Sequence, residues 1–155
     1  MKIEACHRIV RTRNGLSVQQ FINALKFHFE VVSMPPGFVC SPMEPHTFGM
    51  YLDGAWFHLK AYEDAYQNRN AFERLDVNIL QKYVFEQILK ITDPLEDERL
   101  YLMDNSVTIP EMQRIADRNQ GILFTLFPIT EDLIQEVTDA GFEIPIRTYC
   151  ASGDQ

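Results

Sequence analysis

The sequence predicts an α+β fold, within the broad α/β type: a mixed β-sheet that includes a β-hairpin, flanked by about four helices. Three observations predict it. Asp53-Gly54 sits between the alternating runs "HTFGMYL" and "AWFHLKAY", and this dipeptide suits a type I′ turn, which needs positive φ at both central residues. The segments "LSVQQFINALKFHFE" and "LDVNILQKYVFEQILKI" carry apolar residues at helical spacing. The latter half then alternates strand, helix, strand, helix.

The first strand is "KIEACHRIVR". With period two, Ile3, Ala5, His7 and Ile9 share one face, and Lys2, Glu4, Cys6, Arg8 and Val10 the other. "TRNG" is a turn signal. The first helix opens with Ser17 and Gln20 at capping-box spacing and buries Val18, Phe21, Ile22, Leu25 and Phe29. "FEVVS" is a short strand. "MPPGFVCSPMEP" holds four of the 8 prolines and reads as a surface loop.

Pairing outward from Asp53-Gly54 sets Leu52 opposite Ala55, Tyr51 opposite Trp56, Met50 opposite Phe57, Gly49 opposite His58 and Phe48 opposite Leu59. Phe48, Met50, Leu52, Ala55, Phe57 and Leu59 then form a core face, and Thr47, Tyr51, Trp56, His58 and Lys60 the other. "EDAYQNRNAFER" is a polar connection or lid. The second helix has Asp76 as its N-cap and Leu80, Tyr83, Val84, Gln87, Ile88 and Ile91 along one side. "TDPLEDE" is an acidic loop and "RLYLMD" a short buried strand. Thr108 and Glu111 cap a third helix, with Gly121 at its left-handed C-terminus. "GILFTLF" is a central strand covered on both faces. Thr130 caps a fourth helix that packs Leu133, Ile134 and Val137 and ends at Gly141.

The 155 residues suffice for one domain, 1–155, with a proper core. A formal charge of -8 disfavours nucleic acid and anionic membrane surfaces as partners. The cationic cluster Arg8, Arg11 and Arg13 reads as a solvated strand edge. Cys6, Cys40 and Cys150 are odd in number and widely spaced, which reads as reduced thiols in a cytoplasmic protein. No segment has the length and apolarity of a membrane span, and the N-terminus lacks a signal-peptide pattern.

No phosphate loop, dinucleotide fingerprint, nucleophile elbow or zinc-protease motif is present. The hairpin register puts His46 and His58 on opposite faces, so the pair does not make a metal site. His28 falls late in a helix, where a cation suits the dipole. Glu96, Asp97 and Glu98 form a solvated acidic run. Tyr51, Trp56 and His58 make either an interaction patch or a face covered by a helix or a partner.

The segments "HRIV", "LSVQQFINALKFHFEV", "FGMYLDGAWFHLKA", "LDVNILQKYVFEQILKITDPLEDER" and "TLFPITEDLIQEVTDAGFEIPIRT", in this order, resemble the C-terminal half of the free-serine-kinase-like family (domain of unknown function 1015). Its members are mostly uncharacterised prokaryotic proteins. The resemblance implies a fold related to the ParB and sulfiredoxin superfamily, and an activity of phosphoryl transfer from a nucleotide to free serine. The family's Asp-Gly-His-His-Arg stretch has no counterpart here. Its glycine pair is replaced in "MDNSV". Its terminal Pro-Pro-Lys-Ser/Thr-Thr reads "IPIRT", where Pro145 and Thr148 fit and Arg147 replaces the lysine.

Two functions follow as expectations. The first is a non-catalytic module, with no evident cofactor, that binds a protein partner, a second copy or a small ligand. Its contacts would be the patch Tyr51, Trp56 and His58, and a candidate anion site of His7, Arg8, Arg147 and Thr148. The second is a phosphotransferase or nucleotide-binding domain using ADP or ATP with magnesium, with Asp76 and Asp104 as carboxylates of unassigned role.

Overall fold

A computed structural model describes residues 3–145 and 147–151; Lys2, placed above on the first strand, lies outside them. The class is α+β, and the hairpin has the expected register at all five expected pairs. Asp53 and Gly54 have φ of 52° and 79°, as the type I′ turn requires. The pairings, however, are antiparallel throughout rather than mixed.

The strands are β1 (Ile3–Glu4), β2 (Arg8–Val10), β3 (Phe29–Ser33), β4 (Thr47–Leu52), β5 (Ala55–Ala61), β6 (Leu100–Leu102), β7 (Ile122–Leu126) and β8 (Cys150–Ala151). Six of them form one sheet in the order β3-β5-β4-β7-β2-β6, and β1 pairs with β8 in a separate ribbon. The expected single first strand is thus two. Its Cys6 end is drawn to the C-terminal ribbon, while Arg8, Ile9 and Val10 enter the main sheet between β6 and β7. β7 is central and wholly buried, as its continuous apolar run requires. "RLYLMD" supplies β6, which is an edge: Leu100 is buried but Tyr101 is exposed.

The helices are α1 (Val18–Leu25), α2 (Asp76–Leu80), α3 (Ile109–Arg118) and α4 (Glu131–Asp139). The Ser17–Gln20 capping box closes α1 in both directions. Phe29 is buried not from α1 but from β3, because the helix stops at Leu25 and the chain turns through Lys26 to His28. α2 runs on as a π-helical turn, Gln81–Glu86. Its N-cap is Leu75, and Asp76 is the first helical residue. The oxygens of Thr108 and Thr130 accept from Glu111 N and Leu133 N, starting α3 and α4. Gln120, not Gly121, takes the left-handed position after α3, with φ of 53°. Gly121 is needed for another reason: a Cβ there would run into the carbonyl of Val10 on β2.

Both faces of the sheet are covered. On one, Val10, Phe48, Met50, Leu52, Phe124 and Leu126 join the main core. On the other, Ile9, Tyr51, Trp56 and Leu123 pack with Met112 and Ala116 of α3. Tyr51 and Trp56 are therefore 7% and 5% exposed, and Tyr51 Oη donates to Asp117 Oδ2 at 2.9 Å. Of the two alternatives for this face, cover by a helix holds for Tyr51 and Trp56. The apolar side of α3 needed a surface to bury itself against and found this one. His58, on β5 opposite Gly49 and Val32, is half-buried.

Cys6 and Cys150 are joined by a disulfide, with Cα atoms 5.6 Å apart across 144 residues of sequence. This corrects the expectation of reduced thiols; only Cys40 is free among the described residues. Wide spacing in sequence hid a pair that the β1–β8 ribbon brings together. Among the described residues no helix is long and apolar enough to cross a membrane.

Candidate functional site

The polar groups that chemistry could use gather where β2, the start of α2 and the segment after α4 meet. Arg8 opens β2 and is 4% exposed. Its Nη1 donates to Cys6 O at 2.9 Å and to Arg147 O at 2.7 Å. Neither acceptor is a carboxylate, and no ion pair to Arg8 exists among the described residues. Burial, with the Arg147 guanidinium nearby, lowers its pKa to about 10, so it stays charged at neutral pH.

His7 does not join Arg8 in pointing at a ligand. Its Nδ1 accepts from Leu126 N at 3.1 Å, which extends the β2–β7 junction by one bond. Burial and the Arg8 charge lower its pKa to about 4, so the ring is neutral near pH 7. Thr148 is buried, with its Oγ1 donating to Pro145 O at 2.7 Å. Arg147 is exposed, with φ of 61°. Its charge helps hold the Asp104 carboxyl below the usual range, after the larger effect of hydrogen bonds from Ser106. Of the four predicted anion-site residues, Arg8 and Arg147 are close, Thr148 shapes the same segment, and His7 is committed to the backbone.

Two cavities flank this segment, and Val77 lines both. The first, of about 180 Å³, has Arg8, Asn78, Gln81 and Pro145 among its walls. That far exceeds the ~10–15 Å³ that admits a single water. The Nε and Nη2 groups of Arg8 make no hydrogen bond among the described residues. No buried side-chain nitrogen or oxygen there is both sealed and unpaired, so these groups face open space. Asn78 and Gln81 lie three residues apart, where the helix sets them side by side. Their amide nitrogens are used on Phe72 O and on Ile91 O and Glu86, which leaves their oxygens without a bond among the described residues. Sequence reasoning missed both; the available signal was two amides on one side of an otherwise apolar helix.

The second cavity is a cleft of about 50 Å³ lined by His46, Asp76 and Thr148. Asp76 Oδ1 accepts from His46 N at 2.9 Å. Desolvation outweighs that bond and raises the Asp76 pKa to about 7. His46 is held at φ of 68°, its ring stacked on Tyr66 at 3.8 Å and its Nε2 3.3 Å from Arg74 O. Burial lowers its pKa. That left-handed residue breaks the strand alternation by which the hairpin register sets His46 and His58 on opposite faces.

The two shifts act on stability in opposite senses. Asp76 keeps a proton in the native state that the unfolded chain, at about 3.8, has released, so stability falls as pH rises toward 7. His7 lacks a proton that the unfolded chain holds below 6.5, so stability rises with pH from about 4. Urea unfolding at several pH values is expected to show Asp76→Asn gaining stability relative to the parent between pH 4.5 and 7. A pH-independent difference would remove the buried-carboxyl account.

Fold and site together define an α+β protein with a buried cation at one end of its sheet, facing a cavity. The chain belongs to the family described as protein of unknown function (DUF1015), whose model matches residues 1–78. No curated protein and no solved structure matches the chain.

Proposed function

We propose that the chain, taken as one domain over 1–155, is a non-catalytic module that binds a small anionic ligand against Arg8. The observation that carries this is a guanidinium 4% exposed that lines a cavity, has no carboxylate partner among the described residues, and whose Nε and Nη2 make no hydrogen bond among them. Burying a charge without a counter-charge costs several kcal/mol, and an arriving anion offsets that cost. Two backbone carbonyls already orient the fork, so little side-chain freedom is lost on binding. The charge of -8 supports small ligands or protein partners over nucleic acid or an anionic membrane. A protein partner or self-association stays within the proposal. Tyr51 and Trp56 are no longer its contacts, whereas Phe27 and Met43 are exposed.

Calorimetric titration of the full chain with small carboxylates and inorganic phosphate is expected to give saturable binding. Arg8→Gln should weaken it about tenfold or more, the scale of one charge-assisted hydrogen bond. Absence of heat with every anion overturns the reading.

The alternative is a nucleotide-dependent phosphotransferase acting on a small hydroxyl substrate such as free serine, as the resemblance to the mostly prokaryotic free-serine-kinase-like proteins suggests. Asp76 favours it: a cleft carboxylate with a pKa of about 7 suits a general base for a hydroxyl. Phosphoryl transfer is mostly positioning and electrostatics, which Arg147 and Thr148 could serve. No group of three or more His, Cys, Asp and Glu is placed to hold a metal ion among the described residues, so in this reading magnesium would arrive on the nucleotide phosphates. Adding ADP, ATP with magnesium, and free serine to the same titrations separates the readings: saturable nucleotide heat supports the alternative, and none removes it.

A further inference from the structure

Resting on the anion-binding reading, we infer that the Arg8 cavity takes a small organic monocarboxylate with an apolar body, rather than phosphate. The walls carry the inference. Besides Arg8 and two neutral amides, the cavity is bounded by Phe85, Pro94, Leu95, Leu100 and Leu102. One guanidinium balances one negative charge. Arg147 is exposed and is not among the residues lining this cavity, although its charge reaches both Arg8 and Asp104. Near neutral pH a phosphate carries between one and two charges and several strong acceptor oxygens. In this cavity its second charge and most of those oxygens would meet hydrocarbon, which is heavily penalised. A carboxylate presents two acceptors in the geometry that a guanidinium edge matches, and its carbon tail gains by leaving water. The amide oxygens of Asn78 and Gln81 add acceptors, which a second anionic group would repel.

The test uses the full chain and three probes of one shape or charge: 3-methylbutanoate, its neutral amide 3-methylbutanamide, and inorganic phosphate. Calorimetry and thermal shift are expected to show 3-methylbutanoate binding at least about tenfold tighter than either of the others. Arg8 also ties Cys6 to Arg147, so its replacement risks the fold. Leu95→Asp is the second variant: Leu95 is 60% exposed at the cavity rim, and a negative charge there should weaken the carboxylate about tenfold while leaving the melting temperature unchanged. Phosphate binding as tightly as 3-methylbutanoate overturns the ligand class while leaving the anion site standing. An amide that binds as well as the acid overturns both. So does the absence of binding by all three probes.

Discussion

Reducing the Cys6–Cys150 disulfide is expected to lower stability by about 3–5 kcal/mol, because the bond closes a loop of 144 residues in the unfolded chain. For a chain of this size that is roughly 6–20 °C in melting temperature. The local consequence is as important. Arg8 Nη1 reaches across to Cys6 O and Arg147 O, so the disulfide and the guanidinium hold the same two segments together. Their separation should loosen the wall formed by Pro145 and Thr148. Differential scanning calorimetry of the oxidised chain, the reduced chain and the Cys6→Ser/Cys150→Ser variant checks this. Equal melting temperatures in all three would show that the β1–β8 ribbon does not depend on the bond.

Gly49→Ala is expected to be the most damaging methyl that can be added within the main sheet. Gly49 lies in β4 between β5 and β7, and a Cβ there would overlap both Cys40 O and Thr125 Oγ1. Those two atoms are themselves hydrogen-bonded at 2.8 Å, so neither can retreat without breaking the other's contact. Overpacking of this kind costs about 1–3 kcal/mol and more where backbone must move; the upper end is expected here. Gly15→Ala is the comparison, because a Cβ there meets nothing within 4 Å and only its φ of +80° opposes the change, at about 1 kcal/mol. Urea unfolding that ranks Gly15→Ala as the worse variant would contradict the close packing of the Cys40 segment on β4.

Local chemistry was legible in the sequence. The Asp53-Gly54 turn set every expected pair of the hairpin, and Ser17, Thr108 and Thr130 marked three helix starts. These signals act within a few residues. What depended on distant partners was not legible. Nothing near Tyr51 and Trp56 in the sequence encodes the cover that α3 supplies, and nothing near Cys6 encodes the approach of β8 to β1. The candidate site divides in the same way. Arg8 stood out as a cation among apolar residues, but whether it had a carboxylate partner depended on segments more than ninety residues away. His7 looked equivalent to Arg8 on paper. The approach of Leu126 N makes His7 a neutral backbone fastener, whereas Arg8 keeps its charge.

The position of β2 has a kinetic consequence. It occupies residues 8–10 and sits between β6 and β7, at 100–102 and 122–126. The β3–β5–β4 portion can close from near neighbours in the chain, whereas β2 has no neighbour in the main sheet until about ninety further residues have been made. Loop closure over such distances is entropically slow, and contacts of high sequence separation set the pace of folding. On a ribosome, β2 is made before the other strands of the main sheet yet is among the last of them to be paired, and the segment carrying Arg8 waits through about ninety residues for its neighbours.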